Sequence, residues 1–351
     1  MDSDSDEKYS EAESNIFVLP NDVFSLILPK LSRKDILNLR CVSRSFYNII
    51  HENYHLLNKE RIYLISIEYD ENDESNPLRL EIFLDNMANR TFGSLSIFVH
   101  WVIVLKTINI QNSEELSRFL KIFDLRNFHS LKVRAADNIN IFAILNKSFE
   151  TGTNIETLLI QKLKEKDFES FRTFVEKLSS VRSLSIEHIC APSTRPRDVY
   201  SLLSLSSLNT IKDFDISECD GTKILSSDIV AKLFRNNPDI EFLTIRSMNI
   251  EFLESVFKEF FTVEQPRKME SECNFSEIDL NIYFNGEFEY LIDILRNDLS
   301  ELDNVMEITK TLASSEFKSD ADCKNCRNKK HKITRYVYLF DTSHCNEELN
   351  H

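Results

Sequence analysis

The chain has 351 residues, with 57 acidic side chains against 42 basic ones, a formal net charge of −15 and only four glycines. Phosphate-cradling loops of the Walker and dinucleotide types concentrate two or three glycines within about eight residues. Gly93, Gly152, Gly221 and Gly286 stand singly, which excludes nucleotide-dependent catalysis through such loops, and the acid excess excludes a general nucleic-acid binder, since phosphate neutralisation supplies most non-specific affinity.

With 42% hydrophobic and 28% charged residues, the composition is that of a globular chain, and its length suggests about two domains. Twenty-six phenylalanines against one tryptophan predict cores filled by plain apolar rings. The longest apolar run, Ile97 to Leu105, is interrupted by His100 and falls short of the roughly 20 residues of a membrane helix, so no membrane partner is expected. The start, MDSDSDEKYSEAES, has neither the basic opening nor the apolar stretch of a secretory signal. Seven cysteines spread from Cys41 to Cys345 form no dense framework and are expected as free thiols, placing the chain in the cytoplasm and/or nucleus.

Residues 1–14 set six acidic side chains against Lys8 and are expected to be a disordered acidic tail. Within 15–60 the composition changes: from Ile16 to Ile50, 19 of 35 residues are apolar and five basic side chains oppose two acidic ones, a local charge of +3. Val23, Ile27 and Leu31 recur at helical spacing after Pro20, predicting a first helix. Pro29 lacks an amide donor and clashes with the preceding turn, so that helix should kink or end there. Ser32 with Asp35 resembles a capping box and opens a second helix. Ile36, Leu39, Val42, Phe46 and Ile50 continue the period, with Ser43 placed to cap a third helix. Three short helices cannot enclose a core of their own, so the surplus apolar surface needs a cover.

The segment LPNDVFSLILPKLSRKDILNLRCVSRSFYNII resembles an F-box. The resemblance is carried by Leu19, Pro20 and Asp22, by Val23, Ile27 and Leu31, by Asp35, Leu39, Arg40 and Val42, and by Ser43, Arg44 and Phe46. Pro29 departs from the pattern, as does Phe46 where many relatives carry tryptophan. The resemblance implies a Skp-type adaptor as partner and, through it, a cullin-based ubiquitin ligase. Leu19, Pro20, Val23, Ile27, Leu31, Leu39 and Val42 would form the docking surface, with Phe46 as an aromatic wedge. Adaptors of this type are acidic, so the local +3 complements them.

Residues 61–317 repeat a six-residue apolar frame at Leu105/Ile108/Ile110, Phe128/Leu131/Val133, Ile155/Leu158/Ile160, Val181/Leu184/Ile186, Ile211/Phe214/Ile216, Ile240/Leu243/Ile245 and Phe275/Ile278/Leu280. Alternation at the end of each frame predicts a strand, and the segments between them carry helical periods such as Phe168, Phe171 and Val175. An α/β fold follows: a three-helix F-box and then an arc of parallel strands with helices outside. The frame is similar to leucine-rich repeats, though degenerate, because the Asn or Cys expected after each frame occurs only as Cys219. An ordinary α/β domain with a coincidental frame is the alternative.

Side chains between the frame positions should face outward and hold a target protein: Lys132, Arg134, Gln161, Glu187, Asp215, Arg246, Asp279 and Asn281. Residues 318–351 read as a basic loop, with Lys324, Arg327, Lys329, Lys330, Lys332 and Arg335, entering a final strand from Ile333 to Phe340. Cys323, Cys326 and His331 resemble three ligands of a zinc knuckle, but the expected fourth position holds Tyr336, so no metal or other cofactor is assigned. No interleaved aromatic ladder for base stacking was found beside this basic loop, and no nucleophile with a positioned base is signalled. The expected function is therefore a non-catalytic target-recognition subunit of a Skp-cullin-F-box ligase. The alternatives are an adaptor-binding scaffold outside a ligase, or a zinc-dependent nucleic-acid binder using residues 323–345.

Overall fold

The structure is a computed structural model, described for residues 23, 26–31, 33–52, 60–69, 77–92, 95–121, 123–134, 139–191, 208–219, 222–263, 277–302, 304–322 and 332–343. They divide into two compact units, one within residues 1–60 and one within 61–351. The acidic stretch 1–14, Ser32 of the expected capping box, and Cys323, Cys326 and His331 lie outside the described residues.

In the first unit, residues 26 and 27 are helical and pass into a 3-10 turn at Leu28–Lys30. Proline sits in that turn and Leu31 is extended, with ψ 142°, so the helix ends at Pro29 as the missing donor requires. Helix α1 covers Arg33–Val42 and α2 covers Arg44–Glu52. Ser43 divides them: its Oγ accepts the Phe46 N–H at 3.2 Å, the bond of an N-cap residue. Leu28, Ile36, Phe46 and Ile50 are buried together, with Leu31, Leu39 and Ile49 packed partly against them. So small a core cannot cover every apolar side chain the segment carries.

The second unit is built on one 14-stranded sheet. Its elements in chain order are β1 Glu60–Tyr69, β2 Leu78–Phe92, β3 Leu95–Ile110, α3 Ser113–Leu120, β4 Phe123–Asp124, β5 Asn127–Arg134 and α4 Ile141–Ser148. There follow β6 Thr153–Ile160, β7 Leu163–Lys164, α5 Phe168–Val175, β8 Leu178–Cys190, β9 Asp213–Glu218, α6 Asp228–Asn236 and β10 Phe242–Arg246. The last are α7 Ile250–Thr262, β11 Glu277–Phe284, α8 Phe288–Asp298, β12 Val305–Lys310, β13 Ser314–Asp322 and β14 Lys332–Asp341.

The sheet order is β12-β13-β14-β11-β10-β9-β8-β6-β5-β1-β2-β3, with β4 beside β1 and β7 beside β8. From β1 to β14 the central neighbours pair in parallel, and the frame residues Leu131, Leu158, Leu184, Phe214, Leu243 and Leu280 are buried on one face. Both flanks are antiparallel: β1, β2 and β3 on one side, β12, β13 and β14 on the other. The expectation of a wholly parallel sheet is corrected there. The frame Leu105/Ile108/Ile110 falls in β3, which returns along β2 without a helical crossover. Period-2 alternation reports a strand but not its direction.

Helices α3, α4 and α7 open on asparagines. Asn112 accepts the N–H groups of Glu114 and Glu115, Asn140 that of Ala143, and Asn249 that of Phe252, satisfying amides that helix starts leave free. Between sheet and helices the core is phenylalanine-rich. Phe142 meets Phe171 at 5.0 Å and 69°, Phe149 meets Phe174 at 5.3 Å and 84°, and Phe257 meets Phe317 at 5.1 Å and 82°, the edge-to-face arrangement that ring quadrupoles favour.

The free-thiol reading is corrected at two positions. Cys190 ends β8 and Cys219 follows β9; their sulfurs are bonded, with Cα atoms 5.4 Å apart and the two cysteines 29 positions apart in the sequence. Parallel pairing of Ile189 with Glu218 brings one cysteine beside the other, within the Cα span a disulfide needs.

Candidate functional site

Two surfaces are candidates, one on each unit. On the helical unit, the four-residue core leaves Leu26 and Val42 about two-thirds exposed, at 67% and 66%, with Ile27 and Tyr47 exposed beside α1 and α2. Val23, Leu31 and Leu39 are half-buried, and Lys30 and Arg44 are exposed. Phe46, expected as an aromatic wedge, is only 8% exposed and packs with Ile36 and Ile50; Ser43 caps the turn that carries it. Leu19 and Pro20 lie outside the described residues.

On the sheet, parallel register converts sequence spacing into rows. Lys132, Leu159, Ser185, Asp215, Thr244 and Asn281 are successive partners, and the row ends on Tyr338 of β14. The row before it carries Ser183, Asp213, Phe242, Asp279 and Tyr336. The row after it carries Ser217, Arg246, Tyr283 and Phe340. Of the expected target residues, the register thus gathers Lys132, Asp215 and Asn281 in one row, with Asp279 and Arg246 in the flanking rows. Arg134 is exposed at the end of β5 and pairs with Glu68 at 3.0 Å. Gln161 is exposed just beyond β6, and Glu187 is half-buried on β8.

The charges on this face are unevenly matched. Arg246 Nη1 donates to Asp215 Oδ1 at 2.8 Å, and Ser185 Oγ donates to the other oxygen of the same carboxylate at 3.3 Å. Lys318 of β13 pairs with Asp320 at 3.2 Å. Burial, reinforced by Glu277, pushes the Asp279 carboxyl above the usual carboxylate range, and burial with Glu241 does the same at Asp213. The Tyr338 phenol is pushed up to about 12 by burial and by the charges of Asp279 and Glu316.

An aromatic ladder occupies the β11–β14 end, and sequence reasoning missed it. Tyr283 stacks on Phe340 at 5.0 Å, and Tyr338 lies 5.9 Å from Tyr336 and 6.5 Å from Phe340. The signal was present: Tyr336, Tyr338 and Phe340 alternate within the expected final strand, and alternate residues share a face.

At the opposite end, the starts of β5, β6 and β8 line an open hollow of about 790 Å³ with Tyr63, His129, Glu156 and Arg182. Tyr63 stacks on His129 at 4.6 Å, and His129 Nδ1 lies 2.7 Å from Glu156 Oε2. Among the described residues no serine or cysteine hydrogen-bonds to this imidazole. Among the described residues, too, no group of three or more His, Cys, Asp or Glu side chains is placed to hold a metal, and no helix is long and apolar enough to cross a membrane.

Residues 16–58 match the F-box-like family model, and this segment is an F-box-like domain. No curated protein and no solved structure matches the chain.

Proposed function

We propose that the chain is the target-recognition subunit of a Skp-cullin-F-box ubiquitin ligase. Residues 16–50 dock on a Skp-type adaptor, the outward sheet face holds a target protein, and other subunits carry the activated ubiquitin. The chain's contribution to rate is proximity and orientation; no residue of it performs bond chemistry. In this reading the strand-and-helix succession forms a degenerate leucine-rich-repeat-like arc.

The F-box-like segment at residues 16–58 carries the proposal. The apolar side chains left outside the small core, Leu26, Ile27, Val42 and Tyr47, support it, as does the +3 balance of 16–50 for an acidic partner. Leu19, Pro20, Val23, Ile27, Leu31, Leu39 and Val42 supply the docking surface, with Phe46 supporting it from beneath. Lys132, Arg134, Gln161, Glu187, Asp215, Arg246, Asp279 and Asn281 belong to the target face.

Affinity purification with mass spectrometry, comparing the intact chain with one lacking residues 16–50, tests this. Recovery of adaptor and cullin with the intact chain alone is the expected result. Adaptor without cullin would assign a scaffold outside a ligase, and absence of adaptor would remove the proposal.

A further inference from the structure

The outward face of the sheet is not uniform. Its β10–β11–β14 part is aromatic and acidic: Phe242 is 46% exposed, and Asp279 lies between it and Tyr336 in the parallel register. Two features single out this part. First, its rings already accept cations. The Arg246 guanidinium lies 4.9 Å from the Tyr283 centroid, and the Lys318 ammonium 5.7 Å from that of Tyr336, both within the range of cation–π attraction. Second, both of those cations are already paired with carboxylates, while among the described residues Asp279, Glu277 and Glu316 hold no ion pair. A partner that buries this face must therefore bring positive charge, or it strands carboxylates away from water. Phosphate-bearing partners are disfavoured by the same carboxylates.

Resting on the receptor reading above, we propose that the sheet face around Asp279 binds an extended, lysine- or arginine-bearing segment of the target protein. One cationic side chain enters between Phe242 and Tyr336 and pairs with the Asp279 carboxylate. Its alkyl stem lies on Tyr338, where aromatic area and charge act together. Rigid aromatic anchors around one desolvated charge have the composition of an interface hot spot.

The test uses the full chain bound to purified adaptor and two short fluorescent peptides, one alternating lysine with serine and one alternating glutamate with serine, read by anisotropy. The lysine peptide is expected to bind and the glutamate peptide not. Asp279→Asn should weaken the lysine peptide about tenfold, the scale of one lost charged contact. Tyr336→Leu with Tyr338→Leu should do at least as much, and the charge-matched Glu169→Gln on α5 should change binding less than about twofold. Unaltered thermal unfolding of each variant shows that the fold persists. Equal losses in Asp279→Asn and Glu169→Gln would assign the binding to the overall acidic field and overturn the proposal, as would equal binding of both peptides. Adaptor retention is measured in the same samples. Its loss counts against the receptor reading, whereas intact adaptor binding with peptide binding insensitive to Asp279 counts against the cationic target alone.

Discussion

Arg246 and Asp215 are joined across neighbouring parallel strands, Nη1 to Oδ1 at 2.8 Å, while the same guanidinium covers the Tyr283 ring. The pair is partly exposed, with side chains 38% and 28% accessible, and such pairs contribute little to stability. Arg246→Ala should therefore change unfolding free energy by less than about 1 kcal/mol, measured by urea denaturation. It uncovers one ring and one carboxylate beside Asp279, so the lysine peptide should bind more tightly; weaker binding would contradict the cation-accepting reading of this end of the face.

Tyr338 supplies a pH test. Its neutral phenol suits the half-buried face, and ionisation is delayed to about 12 by burial and the nearby carboxylates. A folded-state value above the ordinary one leaves stability unaffected below that ordinary value and erodes it as pH rises through the folded one. The phenolate absorbance difference between the intact chain and Tyr338→Phe should show one late-titrating tyrosine. Asp279→Asn should bring that step to lower pH.

Asp167 is a buried carboxylate whose Oδ1 has no hydrogen-bond partner, and burial raises its pKa. Because the protonated form fits the fold, stability should fall as pH rises through the raised value. Asp167→Asn, which removes the charge and keeps the shape, should stabilise the chain at neutral pH by about 1 kcal/mol and flatten its stability across the acid range. A variant less stable than the parent at neutral pH would contradict this account of the site.

The Cys190–Cys219 bond closes a loop across 29 residues, for which chain entropy gives about 3.5 kcal/mol at 25 °C. Reduction, or Cys190→Ser with Cys219→Ser, should lower unfolding stability on that scale and leave adaptor binding unchanged. Thiol labelling of the unreduced, denatured chain should find two fewer reactive cysteines than after reduction.

What the sequence disclosed followed the physics of each signal. Helix breaks at Pro29 and Ser43 were legible because each acts on a single local hydrogen bond. The core strands were legible because the frame from Phe128 onward records burial on one face. Strand direction was not: Leu105, Ile108 and Ile110 alternate as a parallel strand would, and only pairing with β2 fixes their direction. Neither were Cys190 and Cys219, whose meeting depends on register between strands a full repeat apart. The outward residues were assigned to their face through alternation. The aromatic end of that face lies in the alternation of Tyr336, Tyr338 and Phe340, which a zinc-knuckle spacing hides by counting Tyr336 alone as a missing ligand. The burial of Phe46 was not legible, because helical periodicity marks an apolar stripe without saying whether a partner or the unit's own core covers it.

The account depends most on the exposed apolar edge of the helical unit being a docking surface. Titrating a purified Skp-type adaptor against the intact chain and against Ile27→Asp with Val42→Asp, both positions exposed, tests it directly. The account predicts binding by the intact chain, a loss of at least about 30-fold in the double variant, the scale of a removed hot spot, and unchanged thermal unfolding. Equal affinity of the two chains, or no binding by the intact one, would contradict it.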